Sequence, residues 1–275
     1  MALSRIAFLL ASLHFAIGGA QYFRSFNRNG FKDYYRIPKI PSHQNHINSN
    51  LNSRPIYHSD PGNGIRDSKL KWQRVGNKIV IPFIIDPYSS YTRIQKEKFY
   101  AAMRHISEKT CINFRWKTNE EDYLMIYSGK WCTSYVGRVG GEQRVSLQRD
   151  ETCGNNIGMI IHELVHALGF LHMQSHANRD NYVTVIKENI SPGEEFQFDK
   201  VNSLKATNFG TPYDYFSIMH YGTHAFSKNG RPTIVAKIAK FNQFMGQTNK
   251  LSFGDLIRIR MMYNCKCLEA GYRNC

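Results

Sequence analysis

The sequence predicts an α+β protein whose strands gather in its first half. Three observations predict it. Short apolar, β-rich runs recur between Lys78 and Gln148; stretches of helical period open near Thr92 and Ile157; and beyond His172 the chain is loop-rich until a late helix from about Ser252 to Asn264. With 275 residues, 42% hydrophobic and 21% charged, the chain can bury a real core in one or two domains.

At the N-terminus Arg5 precedes the largely apolar run Ile6 to Ile17, which ends in Gly18, Gly19 and Ala20. That order of charge, apolar run and small residues predicts a signal peptide over 1–20 and a secreted, extracellular protein. No later segment is apolar for the roughly 18 residues a membrane span needs, so none is expected. From Gln21 to Gly64 the composition shifts to Asn, Ser, Arg, Tyr, Pro and His, with too few aliphatic residues to order itself alone. We read 21–64 as a pro-segment, 65–265 as the folded domain (subdomains 65–170 and 171–265), and 266–275 as a short cysteine-containing tail.

Within the domain, Lys78 to Ile85 reads as a strand, and Thr92, Arg93, Ile94 and Gln95 form a capping box that opens a helix to about Lys109. Phe99, Ala102, Met103 and Ile106 recur along it at helical spacing, which suits a helix backing a sheet. Strands follow near Ile112 to Trp116, Tyr123 to Tyr127, Cys132 to Val136 and Val145 to Gln148.

The next helix carries the chemistry, in HELVHALGFLH from His162 to His172. At roughly 100° per residue, His162 and His166 stand about 40° apart on one face and can grip one metal ion. Ile157, Ile160, Ile161, Leu164, Val165 and Leu168 fall in an arc centred roughly 150° away, and that arc should meet a core. Glu163 lies between the two arcs, where a carboxylate can hold a zinc-bound water without displacing it. A continuous helix would carry His172 about 9 Å past His166 and turn it away. The helix must therefore stop, and Gly169, free of a Cβ, is where the chain can reverse to bring His172 back as third ligand. The expected cofactor is one catalytic Zn2+ on His162, His166 and His172. Met219, 47 residues after His172, sits in SIMHY.

These stretches resemble the astacin family of zinc endopeptidases, which are metzincins. HELVHALGFLH, YDYFSIMHYG (Tyr213 to Gly222), AFSKNGRPTI (Ala225 to Ile234) and LSFGD (Leu251 to Asp255) are similar to that family. So are CTSYVGRVGGEQRVSLQ (Cys132 to Gln148) and RDNYV (Arg179 to Val183), and the likeness runs from about Lys71 to Cys265. The resemblance implies a metzincin fold: an N-terminal twisted mixed sheet with a backing helix and the active-site helix, then an irregular C-terminal subdomain. It implies that Met219 forms a methionine turn beneath the metal. Tyr221 would be a switching tyrosine that can ligate zinc at rest and stabilise the transition state. An extended peptide or protein substrate would lie along an edge strand near Cys132 to Val136, as β-augmentation.

The six cysteines suit an oxidising compartment, and composition leaves their pairing open. The resemblance implies Cys111 with Cys265 and Cys132 with Cys153, which leaves Cys267 and Cys275 as the simplest remaining pair. It also implies a pro-segment aspartate that takes the water's place on zinc; Asp60, in Tyr57-His58-Ser59-Asp60, is the nearest match. Asn189-Ile190-Ser191 is the single glycosylation sequon, and Pro192 follows it.

The chain also departs from the family pattern. Met173 stands where a glutamate usually pairs with the freed N-terminus, and His176 and Asn178 replace an arginine and an aspartate, while Arg179 and Asp180 are kept. An apolar side chain in place of a buried carboxylate can relax into packing, so activation is expected to depend less on the mature N-terminus here.

The net charge of +15 invites a nucleic-acid partner. Its lysines and arginines are scattered, with no groove-reading motif, and none is expected; acidic glycans, matrix or peptides suit a secreted basic protein better. The sequence thus predicts a secreted zinc endopeptidase made as a zymogen, with Glu163 and Tyr221 as its catalytic residues. The alternative is a catalytically impaired, secreted binding protein of the same fold. Oligomeric state is unspecified.

Overall fold

A computed structural model of the chain describes residues 62–265. The expected signal peptide, Asp60, the pro-segment up to residue 61, and Cys267 and Cys275 lie outside the described residues.

β3 (Lys78–Ile85) is the axis of a six-stranded sheet that also contains β2 (Arg74–Val75), β4 (Ile112–Trp116), β5 (Tyr123–Tyr127), β6 (Cys132–Ser134) and β7 (Glu142–Leu147). β3 runs parallel to β4, with Ile79 opposite Ile112, and parallel to β5, with Phe83 opposite Leu124. β5 is parallel to β7, while β2 pairs β3 and β6 pairs β7 antiparallel, so the sheet is mixed. The period of two is visible in β5, where Leu124 and Ile126 are buried and their neighbours are not.

Two strands differ in extent from expectation. β6 stops at Ser134 rather than Val136, because the chain turns inward there and Gly137 N donates to His166 O at 2.9 Å. β7 starts at Glu142 rather than Val145: the polar residues Glu142 to Arg144 hide a strand whose inward residue, Gln143, is buried and donates to Gly137 O. β6 lies at the end of the sheet's path, and no described strand pairs its outer edge.

α1 (Arg93–Ser107) opens on the expected capping box of Thr92 and Gln95 and buries Phe99, Ala102, Met103 and Ile106. α2 (Ile157–Ala167) carries HELVHA, and α3 (Phe253–Met262) opens on a second capping box, Ser252 with Asp255. The second half adds β8 (Val183–Val185), β9 (Ala206–Thr207) and β10 (Ile234–Ala236); β10 pairs β8, and β9 pairs β1 (Gly64–Ile65). Apart from the late helix, none of these short elements is foreseen by the sequence reading.

Two large hydrophobic clusters result, beside a small one of Cys132, Cys153 and Met159. One joins the sheet, α1, α2 and the inner face of α3 and includes Ile218 and Met219. The other is aromatic and holds Met173, Phe198, Tyr213, Tyr215, Tyr221 and Phe226 among others. Disulfides Cys111–Cys265 and Cys132–Cys153 form, the first tying the start of β4 to the chain just after α3. No helix among the described residues is long and apolar enough to cross a membrane.

Candidate metal centre

α2 starts where Asn156 Oδ1 accepts from Gly158 N and Met159 N, supplying acceptors for two orphan donors of the first turn. Gly158 is obligatory by contact, since a Cβ there would come within 1.4 Å of Thr248 O. The helix is more buried than a two-faced pattern suggests. Ile157, expected in the apolar arc, is 38% exposed at the first turn, while every residue from Gly158 to Ala167 is buried. The ligand face is covered by the second half of the chain rather than by solvent.

The reversal falls at the expected glycine. Gly169 has φ +101, its N–H donates to His166 O at 2.8 Å, and a Cβ would meet Ile65 Cδ1 at 2.6 Å. After it, Leu171 N donates to Asn63 O and Asn63 Nδ2 to Leu171 O, so the N-terminal strand straps the segment that delivers His172.

His162, His166 and His172 converge as the sequence expects. His172 Nε2 lies 3.3 Å from His162 Nε2 and 3.2 Å from His166 Nε2. Nitrogens bound tetrahedrally to zinc at ordinary bond lengths stand about 3.3 Å apart, so the spacing fits that ion. The tautomers fit as well. His162 Nδ1 donates to Ile218 O and His166 Nδ1 to Phe170 O, each at 2.7 Å, which leaves both Nε2 lone pairs facing the common point. Burial lowers the imidazole pKa of His162 to about 4; burial, then the charge of His162, lowers that of His166 to about 3. Burial, helped by the other imidazoles, pushes His172 well below its ordinary value. Three buried, neutral rings with converging lone pairs repel one another unless a cation joins them.

Glu163 is buried beside them, and neither carboxylate oxygen has a hydrogen-bond partner among the described residues. Burial raises its pKa well above the ordinary carboxylate range. A buried carboxyl without a partner is costly in a purely structural role, and it fits a group that handles a proton beside a metal-bound water.

Met219 is wholly buried, and its carbonyl accepts from Met173 N at 2.8 Å. Asp255 fixes this turn: Oδ1 accepts from Ser217 Oγ at 2.6 Å and Oδ2 from Ile218 N at 2.9 Å. His220 is structural, with Nδ1 donating to Tyr221 O and Nε2 accepting from Tyr213 OH, and burial holds it near 4. The Tyr221 ring lies 4.4 Å from the His172 ring, and its hydroxyl donates to Gln197 Oε1. Burial first, then the charges of Glu194 and Glu163, raise its pKa.

Met173 is packed at 0% exposure in the aromatic cluster. Asn189 Nδ2, the atom a glycan would occupy, donates to Pro232 O at 2.7 Å, and its Oδ1 accepts from Asn229. Sequence reasoning missed Asp255, Gln197 and the carbonyls of Ile218 and Phe170. The carbonyls carry no sequence signal, and Asp255 signals only a helix cap.

Residues 65–264 match the peptidase family described as Astacin. The zinc metalloproteinase nas-13 of Caenorhabditis elegans is 42% identical over 236 residues, covering 81% of this chain, which spans only 50% of that relative. High choriolytic enzyme 1 of Oryzias latipes is 42% identical over 201 residues, covering 72% of each. The solved structure of that enzyme, a hatching enzyme zinc-protease, matches with a TM-score of 0.69 at 40% identity, over 74% of this chain and 100% of the other. Myroilysin, at 20% identity and a TM-score of 0.52, shares the fold.

Proposed function

Because the chain belongs to the astacin family and carries a zinc metallopeptidase domain, we propose that it is a secreted endopeptidase, made as a zymogen, in which Glu163 moves the proton. One observation carries this reading: three imidazole lone pairs converge beside a buried carboxylate that nothing else in the described chain satisfies. Zinc, when bound by His162, His166 and His172, lowers the pKa of its water toward 7 and polarises the scissile carbonyl.

Glu163 takes the water's proton and hands it to the leaving amine. Its burial suits the task, because desolvation raises the proton affinity of the carboxylate above the ordinary carboxylate range and leaves both oxygens without a competing partner among the described residues. Tyr221, from its place over His172, donates a hydrogen bond to the developing oxyanion, a contribution of roughly 3 kcal/mol where such donors have been removed elsewhere. The substrate is an extended peptide or protein segment that adds to the unpaired edge of β6.

Secretion is supported by the signal-like N-terminus and two disulfides. In the zymogen reading Asp60 would take the water's place on the metal until the pro-segment is removed. Met173 argues against the binding-only alternative, because it packs without leaving a charge unpaired.

The test is Glu163→Gln. It is expected to keep zinc at full stoichiometry and to lose at least about 100-fold in peptide hydrolysis; appreciable turnover by that variant would refute the assignment.

A further inference from the structure

Tyr221 is held by more than its place in the methionine turn. Its hydroxyl donates to Gln197 Oε1 at 3.3 Å, and Gln197 Nε2 donates in turn to Glu194 Oε2 at 3.3 Å. The second bond fixes the sense of the amide. A carboxylate only accepts, so the amide nitrogen faces Glu194 and the oxygen faces the phenol.

The same segment holds the ring. Phe198 stands edge-on to Tyr221 at 5.8 Å, Phe226 lies at 5.5 Å, and His172 at 4.4 Å. The short helix that carries Gln197 and Phe198, Glu195–Phe198, is itself anchored. The Arg179 guanidinium donates to the carbonyls of Phe198 and Gln174, and Gln174 Oε1 accepts from Tyr221 N at 3.2 Å. Ring, hydroxyl and backbone of Tyr221 are thus gripped by one cross-linked unit.

A phenol has one proton to give. While it lies on Gln197 it cannot lie on an oxyanion. We propose that Gln197, oriented by Glu194, is a latch for Tyr221: a positioning residue that sets how readily the hydroxyl is released to the reacting carbonyl. The inference rests on the oxyanion role of Tyr221 given above. The bond is long and joins two neutral groups, so it holds the resting position weakly enough to be exchanged in each turnover.

Two substitutions should act in opposite directions, measured on the matured, zinc-loaded enzyme with a peptide substrate and with a phosphinic peptide that mimics the tetrahedral state. Gln197→Met removes the acceptor and nearly keeps the volume. It is expected to raise kcat roughly two- to tenfold, the range of one neutral hydrogen bond, with KM unchanged and the phosphinic peptide bound tighter by a similar factor. The exchange Glu194→Gln with Gln197→Glu keeps net charge and hydrogen bonds but turns a carboxylate toward the phenol. Charge-assisted bonds are about twice as strong, so kcat should fall about tenfold and the phosphinic peptide should bind more weakly. In a Tyr221→Phe background neither change should have an effect.

If both changes lower kcat, if their effects persist in Tyr221→Phe, or if both stay within about 1.5-fold, the latch is refuted and Gln197 merely fills a structural place. If Tyr221→Phe alone leaves kcat and phosphinic-peptide affinity intact, the oxyanion role fails, and the latch with it. Should Gln197→Met not fold, the paired exchange decides by its own sign and by its loss in the Tyr221→Phe background.

Discussion

Asp255 is the residue through which the last helix reaches His162, a proposed zinc ligand, two steps away. Its Oδ1 accepts from Ser217 Oγ and Arg258 Nη2, and its Oδ2 from the N–H groups of Ile218 and Ser252. Ile218 O then receives His162 Nδ1–H. The carboxylate therefore holds the residue whose carbonyl holds His162. Asp255→Asn and Asp255→Ala should separate the two halves of this role. An amide nitrogen cannot face two backbone N–H groups, so in the asparagine variant its oxygen stays on Ile218 and Ser252 while its nitrogen turns to Ser217 and Arg258. Ser217 can rotate to accept; Arg258 cannot, and keeps Asp214 as its ion-pair partner together with its bond to Thr211.

The asparagine variant should lose about 1.5 to 3 kcal/mol, the range of one hydrogen bond to a charged group. Alanine leaves a wholly buried guanidinium with half its compensation and four donors without their acceptor, at about 3 to 5 kcal/mol. For a body of this size each kcal/mol moves Tm by roughly 2 to 4 °C. Scanning calorimetry of the zinc-loaded protein should then show losses of roughly 3 to 12 °C for asparagine and 6 to 20 °C for alanine. Zinc affinity, read by competition with a chromophoric chelator, should fall about tenfold for alanine, as for other outer partners of a metal-bound histidine, and less than about threefold for asparagine. Equal loss of zinc affinity in the two variants, or none in either, would refute the tether through Ile218.

The pH dependence of the metal-free protein has a definite sign. Burial holds His162 near 4, His166 near 3 and His172 well below its ordinary value, whereas the unfolded chain titrates its imidazoles near 6.5. Between those values the unfolded state binds more protons, so in a Glu163→Gln background, which removes the raised carboxyl that acts in the opposite sense, urea midpoints of chelator-treated protein should fall as pH drops below 6.5; His162 alone is worth about 3 kcal/mol. A flat profile from pH 7 to 4.5 would contradict the buried, neutral triad. Met173→Glu places an unpaired carboxyl in the aromatic cluster and should cost roughly 2 to 5 kcal/mol in the full-length chain. Met173→Leu, by contrast, should stay within about 1.5 kcal/mol; equal Tm values for the two variants would show that the site is not apolar. Asn189 should carry no glycan when the secreted protein is examined by intact mass, because its amide is bound to Pro232 and Asn229; a hexosamine-bearing species would overturn that.

What the sequence could disclose divides along a physical line. β3, β4 and β5 fall on the residues expected of them, because each is a short β-rich run whose identity is local. The first two ligands and the glycine reversal are equally local, set by 3.6 residues per turn and by one residue without a Cβ. By contrast, the pairing of Ile65 with Ala206 and of Ile234 with Val185 joins segments of two or three residues far apart in sequence, too short for any period to register. Glu142 to Arg144 in β7 were masked by polarity, since Gln143 is buried for its hydrogen bond to Gly137 rather than for apolar area.

The candidate metal centre lies on that same line, between the two larger clusters: Met219 belongs to one and Tyr221, two residues later, to the other. Its ligands come from one continuous stretch and are legible. Their orientation depends on Ile218, Phe170 and, through Ile218, on Asp255, all fixed only by tertiary contact. The departure at Met173 can be absorbed for the same reason. The Met173 backbone N–H still bonds Met219, so the turn under the metal is tied by a group that every residue but proline supplies, while its side chain adds to the aromatic cluster. A substitution that removed the carboxylate while leaving a polar stump would have lost the pair without gaining the packing. Methionine removes the charge and fills the space, which supports the expectation that activation depends less on a charged N-terminus here.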